Sequence, residues 1–398
     1  MFARAAIPPT TKVIISMPVL HDEASVWEEL ETRLAQDWSF TSGRVLGSMC
    51  SVPHPLAAKA FEHILEANVG DEGLVPALAD LEREAVQQFA AWWGRPEASG
   101  RIVTGGTEAN ILALWSAKRQ TGGLKNEVVV PESAHYSFEK AASLMDLRLV
   151  RVPIGADGRV LVDAVEAALT ERTCALVGVA GSTALGAIDD WEALAKVALR
   201  RGIFFHLDAS FGGYVIPFLS QAGFEGPQAS WPEGLSSLSA DPHKMGRGPV
   251  PSGMILWKSE ALAQIVATEV GYLSGGRLRQ NTVVGTRSGA AVAAVWAVQR
   301  ALGVPGYAQT VKTAMETTRW LERELERIPQ AQAVLSPTPL NVVGVATPGR
   351  DTAQVVDQLR RRGWALSQWN GFFRIVVMPH VTPSHLEKFL ADLKEVLA

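Results

Sequence analysis

No apolar run in this 398-residue chain reaches the roughly 18–20 residues that a bilayer-spanning helix needs. Cysteine is almost absent: Cys50 and Cys174 lie far apart and form no metal-like spacing, which excludes a disulfide framework and a thiolate metal site. A reduced, cytoplasmic protein is the expectation that follows. Excess charge of one sign is missing too. Lys+Arg number 37 against 41 Asp+Glu, net −4 with a pI near 6.1, so nothing points to nucleic acid or an anionic membrane as partner. The opening MFARAAIPPTTKVIISMPVL lacks the unbroken apolar centre of a secretion signal. Repeats, low-complexity tracts and long charge runs are absent. What is present is ample apolar material, 47% of the chain, enough for a large core divided over two domains or more.

Apolar runs of strand length alternate with helical stretches, the pattern of a mainly parallel sheet in an α/β fold. RIVTGG, NEVVVPES, LRLVRVPI, CALVGVAGS, IFFHLDAS and GMILWK read as strands. Between them lie helical segments such as TEANILALWSAKRQ, VDAVEAALTER and WEALAKVALRR, and VPALADLEREAVQQFAAWW precedes them. From about residue 286 the pattern changes to long helices, then to strands NVVGVAT and FFRIVVMP and a closing helix. This gives an N-terminal segment 1–60, a large α/β domain 61–285 and a smaller α+β domain 286–398.

Lys244, in SLSADPHKMGRGPVPSG, follows Asp-Pro-His and precedes a Gly/Pro-rich loop. About 36 residues upstream the apolar strand IFFHLD ends in Asp208. A lysine that bonds an aldehyde needs a fixed, partly desolvated amine, and a buried carboxylate is what a pyridinium nitrogen needs as partner. Together they suggest pyridoxal 5'-phosphate chemistry; taken singly they read as a surface lysine and a turn cap. The other parts have candidates. Thr104-Gly105-Gly106-Thr107 lies where a strand turns into a helix, the usual cradle for a phosphate, and Ser239 and His243 offer further phosphate contacts. His135, after NEVVVPES, has the position of a ring-stacking imidazole at the ligand-binding edge of an open sheet. Ser182 and Thr183 end CALVGVAGS, within reach of the ring oxygen or a substrate carboxylate. His206 faces the same side of its strand as Asp208 and reads as a satisfied core histidine. No metal site is expected.

The chain resembles the group II pyridoxal-phosphate-dependent decarboxylases, most closely the archaeal-type L-tyrosine/L-aspartate decarboxylases. The stretches that carry the resemblance are GSMCSVPHPLA, EANVGDEGLVPALADLE, VTGGTEANILAL, VPESAHYSFEKAASLMDL, GVAGSTALGAIDD, HLDASFGGYVIPFL, LSADPHKMGRGPVPSGMILWK, GTRSGA and FFRIVVMPHV. They stand in the family's order from about residue 45 to the C-terminus. The resemblance implies a fold-type I architecture with a seven-stranded large-domain sheet and a homodimer with sites at the interface. It implies Lys244 as the Schiff-base lysine, Asp208 as the pyridinium partner, His135 on the ring, and Gly106, Thr107 and His243 at the phosphate. Tyr272, in VGYLSGGRLRQNT, matches a proton-donating tyrosine on a mobile lid. Arg374 matches an arginine that meets the substrate carboxylate, and Thr286 and Arg287 match residues reaching a neighbouring subunit.

The departures are Ser210, where the family usually has alanine, the first 44 residues, and SQWNGF before Arg374. The implied reaction is α-decarboxylation of an L-amino acid. Aspartate requires a second cation, for which His54, Arg277 and Arg279 are candidates; tyrosine requires an aromatic or apolar slot, for which Trp369 or a residue of the 48–56 segment is a candidate. Aspartate is favoured because its product, β-alanine, is needed for coenzyme A. Another fold-type I enzyme, an aminotransferase or carbon–carbon lyase, stays open beside it, as does a non-catalytic descendant that binds the cofactor.

Overall fold

The computed structural model describes residues 22–398, in two units. The unit ending at Ser39 contains helix Glu23–Leu34, capped by Asp22, whose carboxylate accepts the Ser25 N–H at 3.0 Å. The other unit is Phe40–Ala398. The reading of the extreme N-terminus as lacking a secretion signal lies outside the described residues. No described helix is long and apolar enough to cross a membrane.

The larger unit is built on a seven-stranded sheet. Its strands are β1 (Ser99–Val103), β2 (Glu127–Pro131), β3 (Arg148–Val152), β4 (Thr173–Val179), β5 (Phe204–Asp208), β6 (Ser237–Ala240) and β7 (Gly253–Trp257), in the order β1-β7-β6-β5-β4-β2-β3. Only β7 runs antiparallel to its neighbours. Strands β2, β4, β5, β6 and β7 are buried along their whole length. That burial explains why they read as near-continuous apolar runs rather than alternating ones. The exception in the sequence is β6, SLSA, too short and too rich in small residues to read as a strand.

The hairpin β8 (Thr268–Leu273) and β9 (Gly276–Gln280) stands apart from both larger sheets. The region expected to be an open, glycine-rich lid is thus an antiparallel pair. Two hydrogen bonds tether it: the Ser274 N–H donates to Asp71 at 3.0 Å, and Gln280 Nε2 donates to the Gly70 carbonyl at 2.7 Å.

The second sheet is β10 (Gln332–Ala333), β11 (Val342–Ala346), β12 (Ser367–Trp369) and β13 (Phe372–Val376), ordered β10-β11-β13-β12. Helix Gly289–Leu325 joins the two cores and breaks at Gly303, whose φ of 51° is followed by Pro305. Before and just past the break it supplies Val292, Val295, Tyr307 and Met315 to the core of the large sheet. Its last turns supply Leu321 and Leu325 to a second core with Phe373, Ile375 and Phe389. Leu46 joins that second core from the other end of the chain, because the Leu46 and Gly47 N–H groups donate to the Ala365 carbonyl and the Val376 N–H donates back to Leu46.

Candidate active site

Parallel strands end together, and their C-terminal ends open a crevice into which the following loops project. A cavity of about 280 Å³ lies there, lined by residues that follow β1, β2, β4, β5 and β6. Gly105, Gly106, Thr107, His135, Thr183, Asp208, His243 and Lys244 are all on its wall.

Helix Gly106–Gln120 begins at that wall with Gly105 at its N-cap and no side chain capping it. Its first N–H groups and positive dipole end therefore suit an anion. The backbone is packed too closely for side chains here. A Cβ on Gly106 would lie 2.4 Å from Ser210 Oγ, and one on Gly105 3.3 Å from the His243 ring. Glu108 in the first turn is buried but fully used: Oε2 accepts the Thr104 N–H and hydroxyl at 2.8 and 2.7 Å, and Oε1 accepts the Val283 N–H at 3.1 Å.

One turn further along, Asn110 links the helix to the strand floor. Its Nδ2 donates to Asp208 Oδ2 at 2.9 Å and to the Ser137 hydroxyl, while Oδ1 accepts from His206 Nε2 and the Ser239 hydroxyl. Asp208 Oδ1 accepts the Ser210 N–H at 3.0 Å. Burial pushes the Asp208 carboxyl up, but His206, the Ser210 bonds and Lys244 outweigh it and hold it below the usual aspartate range. His206 itself is pushed down to about 4 by burial, so at neutral pH it orients Asn110 as an uncharged ring.

Lys244 Nζ lies 2.8 Å from Asp241 Oδ2. Burial disfavours its ammonium, but Asp241 prevails and holds the amine above the ordinary lysine range. His243 accepts the Ser252 N–H on Nδ1 at 3.2 Å, so the neutral ring carries its proton on Nε2, 3.7 Å from Asp241. His135 accepts the Ser137 N–H on Nδ1 at 3.2 Å. Burial lowers both imidazoles, so both are neutral near pH 7.

Arg374 stands behind Thr183. Its guanidinium donates to the carbonyls of Thr183 and Gly47 and lies 4.8 Å above the Trp369 ring. No carboxylate among the described residues pairs with it, its Nε has no partner, and burial lowers it to about 10. Trp369 stacks on Phe372 at 5.7 Å, and both line a side cavity of about 430 Å³ that shares Ser133, His135 and Thr183 with the first.

Several expected site residues lie elsewhere. Ser239 is fully buried and its hydroxyl is bonded to Asn110 and Asp208, so it supports the carboxylate and is not at the phosphate cradle. Ser182 Oγ accepts the Ala187 N–H and faces the side cavity. His54 caps helix Pro55–His63 through Nδ1 and is not on the wall of the main cavity. Arg287 is buried in a pair with Glu82, which leaves it nothing to offer a neighbouring subunit. Arg277 pairs with Glu269 on the exposed hairpin and Arg279 bonds the Gln264 carbonyl, so neither cation lines the cavity. Tyr272 is 88% exposed on β8 and absent from the wall of its own chain's cavity.

Conversely, Asn110, Asp241 and Ser133 are at the site without having been singled out for roles in it, and Met49, from the 48–56 segment offered for a substrate slot, is on the wall of the main cavity. For Asn110 the signal was a lone amide in the otherwise apolar stretch ANILALW.

Residues 50–343 match the model of the pyridoxal-dependent decarboxylase conserved domain. The chain belongs to the pyridoxal-dependent decarboxylase family. It is 42% identical to the L-aspartate decarboxylase of Thermococcus kodakarensis, over 94% of this chain and 97% of that one. It is 41% identical to a protein of Methanothermobacter thermautotrophicus named as a probable L-tyrosine/L-aspartate decarboxylase, over 90% and 98%. Among solved structures, the sphingosine-1-phosphate lyase of Burkholderia pseudomallei superposes with a TM-score of 0.87 at 26% identity, covering 98% of this chain and 93% of that one. The glutamate decarboxylase of Lactobacillus brevis superposes at 0.85 with 22% identity, covering 99% and 95%.

This decarboxylase is thus a carboxy-lyase that works with pyridoxal 5'-phosphate, and the cavity fits that group. The glycine-lined start of helix Gly106–Gln120 leaves room for a phosphate, while Asp208 sits opposite a neutral imidazole. Two buried oxygens on the wall, Ser133 Oγ and Asp241 Oδ1, have no protein partner.

Proposed function

We propose that this decarboxylase acts on L-aspartate, removing its α-carboxyl group to give β-alanine, a precursor in coenzyme A supply. The observation that carries the catalytic part is the convergence of Lys244, Asp208 and His135 on one cavity. In this reading Lys244 attaches the cofactor, Asp208 faces the ring nitrogen and His135 covers a ring face. Gly105, Gly106, Thr107 and His243 hold the phosphate, and Thr183 and Arg374 meet the substrate. When bound, pyridoxal phosphate supplies a protonated aromatic ring that accepts the electron pair left by departing carbon dioxide. Asp208, kept ionised by Asn110 and Ser210, holds the proton on that ring nitrogen. Arg374, a buried cation behind Thr183 with no carboxylate partner among the described residues, is off the cavity wall, and a substrate carboxylate would reach it only past Thr183.

The substrate assignment is supported by relatives named as L-aspartate decarboxylases at about 42% identity. A second reading, L-tyrosine, is favoured by the Trp369–Phe372 wall of the side cavity. The lyase and aminotransferase readings have no comparable support, since the lyase neighbour shares 26% identity.

The protein acts, we further propose, as a cytoplasmic homodimer. Tyr272 is exposed on a hairpin outside its own cavity, so it would donate its proton across the interface, in the site of the other copy. The decisive assay incubates cofactor-loaded protein separately with L-aspartate, L-glutamate and L-tyrosine and quantifies the amines. β-Alanine as the dominant product is expected. Dominant tyramine overturns the substrate, and no amine from any of the three overturns decarboxylation.

A further inference from the structure

Asp241 carries a charge that none of these roles uses. Its side chain is 3% exposed, Oδ1 has no hydrogen-bond partner, and Oδ2 meets a single charged donor, Lys244 Nζ at 2.8 Å. His243 Nε2, at 3.7 Å, is too distant to share it. No arginine and no second lysine lines the cavity. The other titratable groups that face Lys244 are Asp208, Cys50, His135 and His243. Burial raises the thiol and lowers both imidazoles, so none of the three brings a counter-charge at neutral pH. Asp208 is engaged by Asn110, Ser210 and Ser239, and the proposed function assigns its remaining acceptor capacity to the ring nitrogen. A buried carboxylate with one charged partner is favourable only while that partner is an ammonium. Once the Lys244 nitrogen is bonded to the cofactor it carries at most one proton, and Asp241 no longer faces a full ammonium.

We propose that Asp241 is the counter-ion that receives Lys244 whenever its amine is free, and that it thereby favours displacement of the lysine by the incoming substrate. This rests on the reading of Lys244 as the attachment residue. In the exchange the bond from the cofactor's carbon to Lys244 Nζ breaks as the bond to the substrate nitrogen forms. The protons and positive charge brought by the substrate ammonium end on Nζ, so charge balances and no oxidant is needed. Asp241 at 2.8 Å is the group placed to hold that charge in a crowded site.

The test is Asp241→Asn, which keeps the shape and the backbone N–H bond to the Ser210 carbonyl. Cofactor-loaded protein is titrated with β-alanine, which has no α-carboxylate to lose, and displacement is followed by the change in cofactor absorbance. Loss of a charge-assisted contact of this kind is expected to raise the midpoint concentration at least about tenfold in the variant. An unchanged midpoint overturns the proposal. A second measurement serves even if the variant folds poorly. In cofactor-free wild-type protein, acetylation of Lys244 by acetic anhydride is followed by mass spectrometry across pH. Lys244 is expected to titrate above the ordinary lysine range; a midpoint at or below that range overturns the proposal. Lys244→Ala separates the two layers. If it keeps the cofactor band, the lysine reading itself fails. If it loses the band while Asp241→Asn behaves as wild type, only the counter-ion fails.

Discussion

Two buried side chains give opposite pH dependences to stability. His206 is held down to about 4 by burial, against about 6.5 in an unfolded chain. Its contribution is therefore present above pH 6.5 and is lost as pH falls towards 4. Burial raises Asp189 to about 6, against an ordinary 3.8. Its contribution is present below pH 4 and is lost as pH rises towards 6. Between pH 4 and 6 the two slopes oppose each other. Asp189→Asn is expected to expose the histidine slope, with the unfolding free energy falling by roughly 3 kcal/mol from pH 6.5 to 4. His206→Gln is expected to expose the reverse slope. Urea titrations at several pH values check both, and parallel profiles in the two variants would refute the assignment. Asp208→Ala is expected to lower kcat/KM by about 10²–10³-fold, measured as carbon dioxide release, because it removes a fixed charge aimed at the reacting ring.

The loop between β1 and helix Gly106–Gln120 was legible in sequence as a strand-to-helix turn, and its reading as a phosphate cradle rested on the lysine and aspartate motifs beside it, since TGGT alone reads as a plain glycine turn. The structure adds the physical reason: Ser210 and His243 press against that backbone. Gly106→Ala is expected to weaken cofactor affinity at least about tenfold, as a misplaced phosphate cradle loses charge-assisted bonds. Adding Ser210→Ala is expected to recover part of the loss, because it removes the oxygen 2.4 Å from the new methyl. Fluorescence titration with pyridoxal phosphate reads both, and a double variant no better than the single one would place the clash elsewhere. The strand ending in Asp208 and the strand before His135 were readable as short, mainly apolar runs, FFHLD and EVVVP, buried along their length, with His135 in the turn that follows. Ser239 was not, because a serine beside a lysine motif gives no sign that its hydroxyl turns inward to Asn110. The pairing of Arg287 was not legible, because its partner Glu82 lies on a helix some 200 residues away in sequence. The hairpin was not legible either, because glycine-rich polar sequence serves a tight antiparallel pair as well as a loop.

At the scale of the molecule, the exposed position of Tyr272 makes a statement about pairing. If the hairpin of one copy serves the cavity of the other, Lys244→Ala and Tyr272→Phe proteins, each inactive for amine formation, complement each other when mixed and allowed to exchange subunits. Random pairing of two subunits then restores about a quarter of wild-type activity. Sedimentation of the mixture as a dimer with no restored activity would place Tyr272 in its own chain's site or outside catalysis.

The Arg374 guanidinium bonds the carbonyls of Gly47 and Thr183, and Val376, on the strand bearing Arg374, donates its N–H to the Leu46 carbonyl. The wall of the cavity is thus locked by residues made near the beginning, the middle and the end of synthesis. A growing chain on the ribosome has the phosphate cradle, the lysine and the aspartate long before it has the strand that carries Arg374. Such distant closures are the slow part of folding. Premature termination after Tyr272 but before β13 would therefore yield a polypeptide that holds Lys244, Asp208, His135 and Tyr272 but lacks the strand carrying Arg374.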